Sequence, residues 1–129
     1  MTPHFPHARL TRDVIGAFFD VHNELRYGLL EVLYRAALRI VLEERGLHVR
    51  CEVPFVVHFH GHRIGEYRAD MIVEEKVILE IKAGASLVNG AKAQLINYVR
   101  LSGLELGLLL HFGPSAEFTR VIATGESDR

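Results

Sequence analysis

Apolar residues at Leu10, Val14, Ala17, Phe18, Val21 and Leu25 recur at the spacing of one helix face and predict a helix from about Leu10 to Arg26. Thr11 and Asp13 offer capping chemistry at its start, and Tyr27-Gly28 interrupts it. Leu29, Leu33, Ala36, Ala37, Ile40 and Val41 predict a second helix from near Leu29 to Arg45, with Gly46 suited to its C-terminal cap. The period then changes. Cys51, Val53, Phe55, Val57 and Phe59 alternate with Glu52, Pro54, Val56, His58 and His60, a half-buried strand in which Pro54 prefers an edge. Turns at Gly61-His62 and Glu74-Glu75 lead into strands from Ile64 to Val73 and from Val77 to Ala83, so three successive antiparallel strands are the economical arrangement. Beyond the 84–90 loop, a third helix is expected over about Ala91 to Leu101. The continuous apolar run from Leu106 to Phe112 suits a central strand covered on both faces, and Phe118 to Ile122 a last short strand.

This order predicts one α/β domain over residues 10–123, a mixed sheet flanked by helices, with residues 1–9 as a flexible arm and 124–129 as a polar tail. At 129 residues and 49% hydrophobic content, the chain can bury a core without staples. Cys51 is the only cysteine, which excludes an intrachain disulfide and a cysteine-based zinc site. Fifteen Lys and Arg against 16 Asp and Glu leave a formal charge of -1, so a polyanion would have to be met by a local cationic patch. No stretch reaches the roughly 18 apolar residues of a membrane span, and the N-terminal segment lacks the pattern of a secretory leader. A cytoplasmic protein with no membrane partner is expected. Gly84 and Gly90 are not followed by the Lys-Ser or Lys-Thr of a phosphate loop, so no nucleotide cofactor is expected.

The most informative residues are Asp70 and, in Glu80-Ile81-Lys82, the acid and lysine ten residues on. Val77, Leu79 and Ile81 share one strand face, whereas Glu80 and Lys82 share the other with Ile78, roughly 6.6 Å apart. A hairpin centred near Glu74-Glu75 pairs positions summing to about 150, which sets Asp70 opposite Glu80. With no arginine expected in that face, the two carboxylates would repel unless a divalent cation neutralised them. A hard cation such as Mg²⁺ accepts carboxylates, the Ile81 carbonyl, water and phosphate. Lys82 could then stabilise developing charge on a scissile phosphate. The plainer alternative is a solvated strand face with Lys82 as an ion-pair partner.

Glu31 opens the second helix, where a carboxylate is favoured by the exposed amides, or else reaches the sheet as a third acid. Tyr34 lies on nearly the same face and could brace Glu31 or touch a ligand. Arg35, Arg39 and Arg45 are candidates for a phosphate-contacting patch or a solvated helix face. On the third helix Gln94 and Tyr98 share a face. Gln94 could hold a phosphate or the attacking water, and Tyr98 could stack on a base, with Lys92 supplying charge nearby; a boundary glutamine beside a rim tyrosine is the alternative. His58, His60 and His62 read as surface histidines of a hairpin, and Cys51 as a packed thiol.

Several of these segments converge. The chain resembles the small bacterial GxxExxY proteins of the PD-(D/E)XK nuclease superfamily: Gly28, Glu31 and Tyr34 match the motif of that name, Tyr67-Arg68-Ala69-Asp70 the acidic strand, Glu80-Ile81-Lys82 the E-x-K strand, and Ala93 to Tyr98 the helix that follows. Ala69 stands where the superfamily's name has proline, and Gly90-Ala91-Lys92-Ala93 lacks the acidic residue or histidine common in relatives. The resemblance implies a restriction-endonuclease-like core with Glu31, Asp70, Glu80 and Lys82 in active-site positions and Gln94 assisting. It further implies Mg²⁺- or Mn²⁺-dependent cleavage of nucleic acid, DNA ahead of RNA, with a homodimer as one way to address two strands. A catalytically silent nucleic-acid-binding or assembly protein on the same fold is the alternative.

Overall fold

The computed structural model describes residues 6–123. Its elements run α1 (Ala8–Leu25), α2 (Glu31–Glu44), β1 (Val49–Phe59), β2 (His62–Val73), β3 (Val77–Ala83), α3 (Ala91–Ser102), β4 (Leu106–Phe112) and β5 (Ala116–Ile122). Ala8 and Arg9, expected in the N-terminal arm, belong to the first turn of α1; residues 1–5 and the tail at 124–129 lie outside the described residues. α2 starts two residues later than its apolar spacing suggests, because Gly28 takes φ 114° in the connection. That conformation is open to glycine and rare for other residues.

The five strands lie in the order β1-β2-β3-β4-β5, with β3 and β4 parallel and the other neighbours antiparallel. α3 supplies the crossover between the parallel pair. β3 and β4 are the most buried strands, which is why their sequences are mostly apolar, with Glu80 and Lys82 of β3 and His111 of β4 as the polar exceptions. Helices α1 and α2 cover one face, packing Val14, Phe18, Tyr34 and Leu38 on Leu79, Ile81, Leu108 and Phe112. On the other face, Leu95 and Val99 of α3 meet Ile72, Ile78 and Leu109. Gly107 permits this approach: a Cβ there would lie 2.6 Å from a methyl of Val99 and 3.1 Å from Leu95. Arg45 ties the helical layer together by bonding Asp20 and the Asp13 carbonyl of α1.

The β2–β3 turn puts Glu74 and Glu75 at positive φ, 54° and 55°. Their carboxylates offset that cost: Glu74 accepts from His48 N at 2.6 Å, and Glu75 is forked by Arg50 at 2.6 and 2.8 Å. The turn sets Met71 opposite Leu79, Ile72 opposite Ile78 and Val73 opposite Val77, and the ladder stops there. Asp70 and Glu80 occupy the next position, where β2 leaves β3.

At that level the β1–β2 ribbon changes face. Val49, Cys51, Met71 and Val73 pack in the α1/α2 layer, whereas Val53, Phe55, Tyr67 and Ala69 pack in the α3 layer. The swap falls between Cys51 and Val53 on one strand and between Ala69 and Met71 on the other, with Glu52 at φ 51°. A non-glycine residue in that region costs about 1–2 kcal/mol. The sheet is therefore forked beside Asp70.

Candidate active site

The fork brings the two acids together. Glu80 sits on the α3 side of β3 and is 7% exposed. Its Oε2 accepts from the Tyr67 hydroxyl and from Asp70 N at 3.3 Å. Asp70 lacks a ladder partner at this position, and its Oδ2 instead accepts from Ile81 N at 2.8 Å. Burial, and then the charge of Asp70, push the Glu80 carboxyl up to about 7; Tyr67, Asp70 N and Lys82 oppose that rise. Burial and the neighbouring carboxylate thus both disfavour the charged form of Glu80. Burial and the bond to Glu80 hold the Tyr67 hydroxyl far above its ordinary range, so it remains a donor. Its ring lies on Tyr98 with centroids 3.3 Å apart, and on its other neighbour Phe55 at 6.1 Å.

Lys82 is half-buried two residues beyond Glu80, paired across the parallel ladder with His111. His111 Nε2 meets the Gly84 carbonyl at 2.9 Å, tying the exit of β3 to the end of β4. The site therefore opens at the carboxyl ends of the two parallel strands, the usual location for ligands in such sheets.

The two carboxylates suit a hard cation, with no soft ligand among them. Hard divalent cations of this size commonly keep several waters, so few protein oxygens are needed. Glu31 does not complete a third acid. Among the described residues no three of His, Cys, Asp and Glu gather as a metal-binding group. Glu31 is instead the first residue of α2, partly exposed at the amide-rich end of the helix.

Tyr34 is not a ligand contact. It is fully buried and stacked on Phe112 with centroids 4.3 Å apart. Its hydroxyl donates to the Arg26 carbonyl and accepts from Leu29 N at 3.1 Å. The spacing of Gly28, Glu31 and Tyr34 thus has a structural reason: glycine makes the bend, the acid opens the helix, and the tyrosine pins the bend to the core. Tyr98 is likewise engaged, by Tyr67, on one ring face. Gln94 and Lys92 are exposed on α3, and neither side chain is hydrogen-bonded to Asp70, Glu80 or Lys82 among the described residues.

Arg35 reaches the site from α2, its Nη1 lying 3.3 Å from Asp70 Oδ1. The expectation of an arginine-free acidic pair is therefore corrected: a guanidinium from the helical layer meets Asp70 directly. Arg39, one turn on, pairs with Glu43 at 3.3 Å. Tyr67 is the functional candidate that residue spacing did not single out. Strict alternation groups it with Met71, on the face away from Glu80, and only the swap at the fork turns it inward.

Comparisons with known proteins bear on the fold and the family. No curated protein is similar enough to match the chain. Among solved structures, the crystal structure of SSO0001 matches with a TM-score of 0.55 at 23% identity, covering 74% of this chain and 52% of that one. The chain thus spans about half the length of that protein, and the likeness is one of fold. The family model of the PD-(D/E)XK nuclease superfamily matches residues 8–121. That match runs from the first turn of α1 through the forked strands to β5, and the chain belongs to the PD-(D/E)XK nuclease superfamily.

Proposed function

We propose that the chain is a Mg²⁺- or Mn²⁺-dependent nuclease that hydrolyses phosphodiester bonds of nucleic acid, DNA ahead of RNA. The observation that carries this reading is the fork itself, where Asp70 and the buried Glu80 meet beside Lys82. Superfamily membership supports it, since such nucleases generally use divalent cations. The narrower likeness to GxxExxY proteins rests on Gly28, Glu31 and Tyr34.

In this reading Asp70, Glu80 and the Ile81 carbonyl hold the cation. When bound, it supplies Lewis acidity to the phosphate and acidifies water. Ile81 N fixes Asp70 and the Tyr67 hydroxyl fixes Glu80, so both carboxylates are oriented before a ligand arrives. Lys82 presents a positive charge to the phosphoryl oxygens as negative charge develops, and orients the attacking water. No helix among the described residues is long and apolar enough to cross a membrane.

Incubating the full chain with plasmid, single-stranded DNA and RNA, in Mg²⁺ or Mn²⁺, tests the reading. Cleavage that vanishes with EDTA and in a folded Lys82→Ala variant supports it. Binding without cleavage of any of these substrates would instead favour a silent binding protein.

A further inference from the structure

Arg35 occupies an unusual position for a residue of a cation site. Of the two Asp70 oxygens, Oδ2 is taken by Ile81 N at 2.8 Å, and Oδ1, the one left for a ligand, faces Arg35 Nη1 at 3.3 Å. A guanidinium and a divalent cation beside the same oxygen repel each other, and the more highly charged ion competes better for it. Arg35 has somewhere to go. It lines a groove of about 340 Å³ between α2 and β1, together with Arg39, Val32, Ala36, Glu52 and Asp70. Its side chain is 29% exposed, against 15% for Asp70, so the pair sits at the groove wall. The backbone of α2 is held by Tyr34 on Phe112 immediately before it, which leaves the side chain as the part that moves.

We propose that Arg35 is a phosphate-binding residue held in reserve by Asp70: cation binding releases its guanidinium into the α2–β1 groove, where it takes a backbone phosphate beside Arg39. The inference rests on the nuclease reading and adds a coupling to it. The planar fork of arginine fits a phosphate as well as a carboxylate, so the exchange replaces one charge-assisted pair by another. Cation and nucleic acid then bind with positive coupling, and each raises the affinity of the other by the same factor. Arg35 acts here on binding, as a phosphate contact.

The test uses the full chain and Mn²⁺ alone, followed by electron paramagnetic resonance, with thermal melting to confirm folding. Arg35→Ala and Arg35→Gln are expected to bind Mn²⁺ about 2- to 5-fold more tightly than the parent protein, the scale of a partly exposed ion pair removed from competition. A duplex DNA oligonucleotide is then titrated in EDTA and in Ca²⁺. The parent should tighten on adding Ca²⁺, and both variants should lose most of that gain. Unchanged or weaker Mn²⁺ binding in two folded variants overturns the exchange while leaving the metal site standing. Absence of Mn²⁺ binding in the parent, or full binding by Asp70→Asn, removes the site itself and the exchange with it.

Discussion

The Tyr67 hydroxyl donates to Glu80 Oε2 across the fork between β2 and β3, while the tyrosine ring rests on Tyr98 of α3. This bond favours the ionised carboxylate, in opposition to burial and the charge of Asp70. Tyr67→Phe should therefore hold the Glu80 proton more tightly and weaken Mn²⁺ binding at pH 7 by about 3- to 10-fold, the range of a modest net hydrogen bond. Calorimetric titration at pH 7 and pH 8.5 checks it, since the deficit should shrink at the higher pH.

The Glu80 carboxyl, lifted from its ordinary 4.5 to about 7, makes stability depend on pH. The folded state holds this proton more tightly than the unfolded chain. Its contribution is thus complete below about pH 4.5 and lost as pH rises through 7. Thermal melting of the metal-free protein should show a loss of up to about 3 kcal/mol from this group between pH 5 and pH 8. Glu80→Gln should flatten that window, and Mn²⁺ should raise the melting temperature most at the alkaline end.

Gly107 is expected to tolerate no side chain without rearrangement. Gly107→Ala places a methyl 2.6 Å from Val99 and should cost about 1–3 kcal/mol in denaturant unfolding. Adding Val99→Ala should recover part of the loss, and a double-mutant cycle measures the recovery.

Tyr34→Phe keeps the ring on Phe112 and deletes the bonds to Arg26 and Leu29. A loss of about 1–3 kcal/mol is expected, with faster amide exchange at Leu29. Gly28→Ala, at φ 114°, should cost about 1–3 kcal/mol and combine less than additively with it, because both loosen the same bend.

The adjacency of Asp70 and Glu80 was legible because a local turn at Glu74-Glu75 sets the pairing, and apolar alternation in β3 leaves Glu80 and Lys82 on one face. The contact of Arg35 with Asp70 was not legible. The rotation of α2 against the sheet depends on Tyr34 meeting Phe112, a contact between distant parts of the chain that no local period encodes. Tyr34 shows the same limit: helical spacing puts it near Glu31, but only packing shows that its ring points into the core. Tyr67 was hidden by the face swap at Glu52 and Asp70, where strict alternation fails.

That swap also divides labour along one hairpin. From Val53 to Ala69 the ribbon no longer belongs to the α1/α2 layer, and Val56, Phe59 and Ile64 toward its tip are exposed. Matched insertions in both strands near the tip would extend its reach while leaving Tyr67 aimed at Glu80. An unmatched insertion between Tyr67 and Asp70 would turn the tyrosine outward. The arm is accordingly the place where descendants of this fold can vary in length and contacts at small cost to the chemistry, provided changes arrive in pairs.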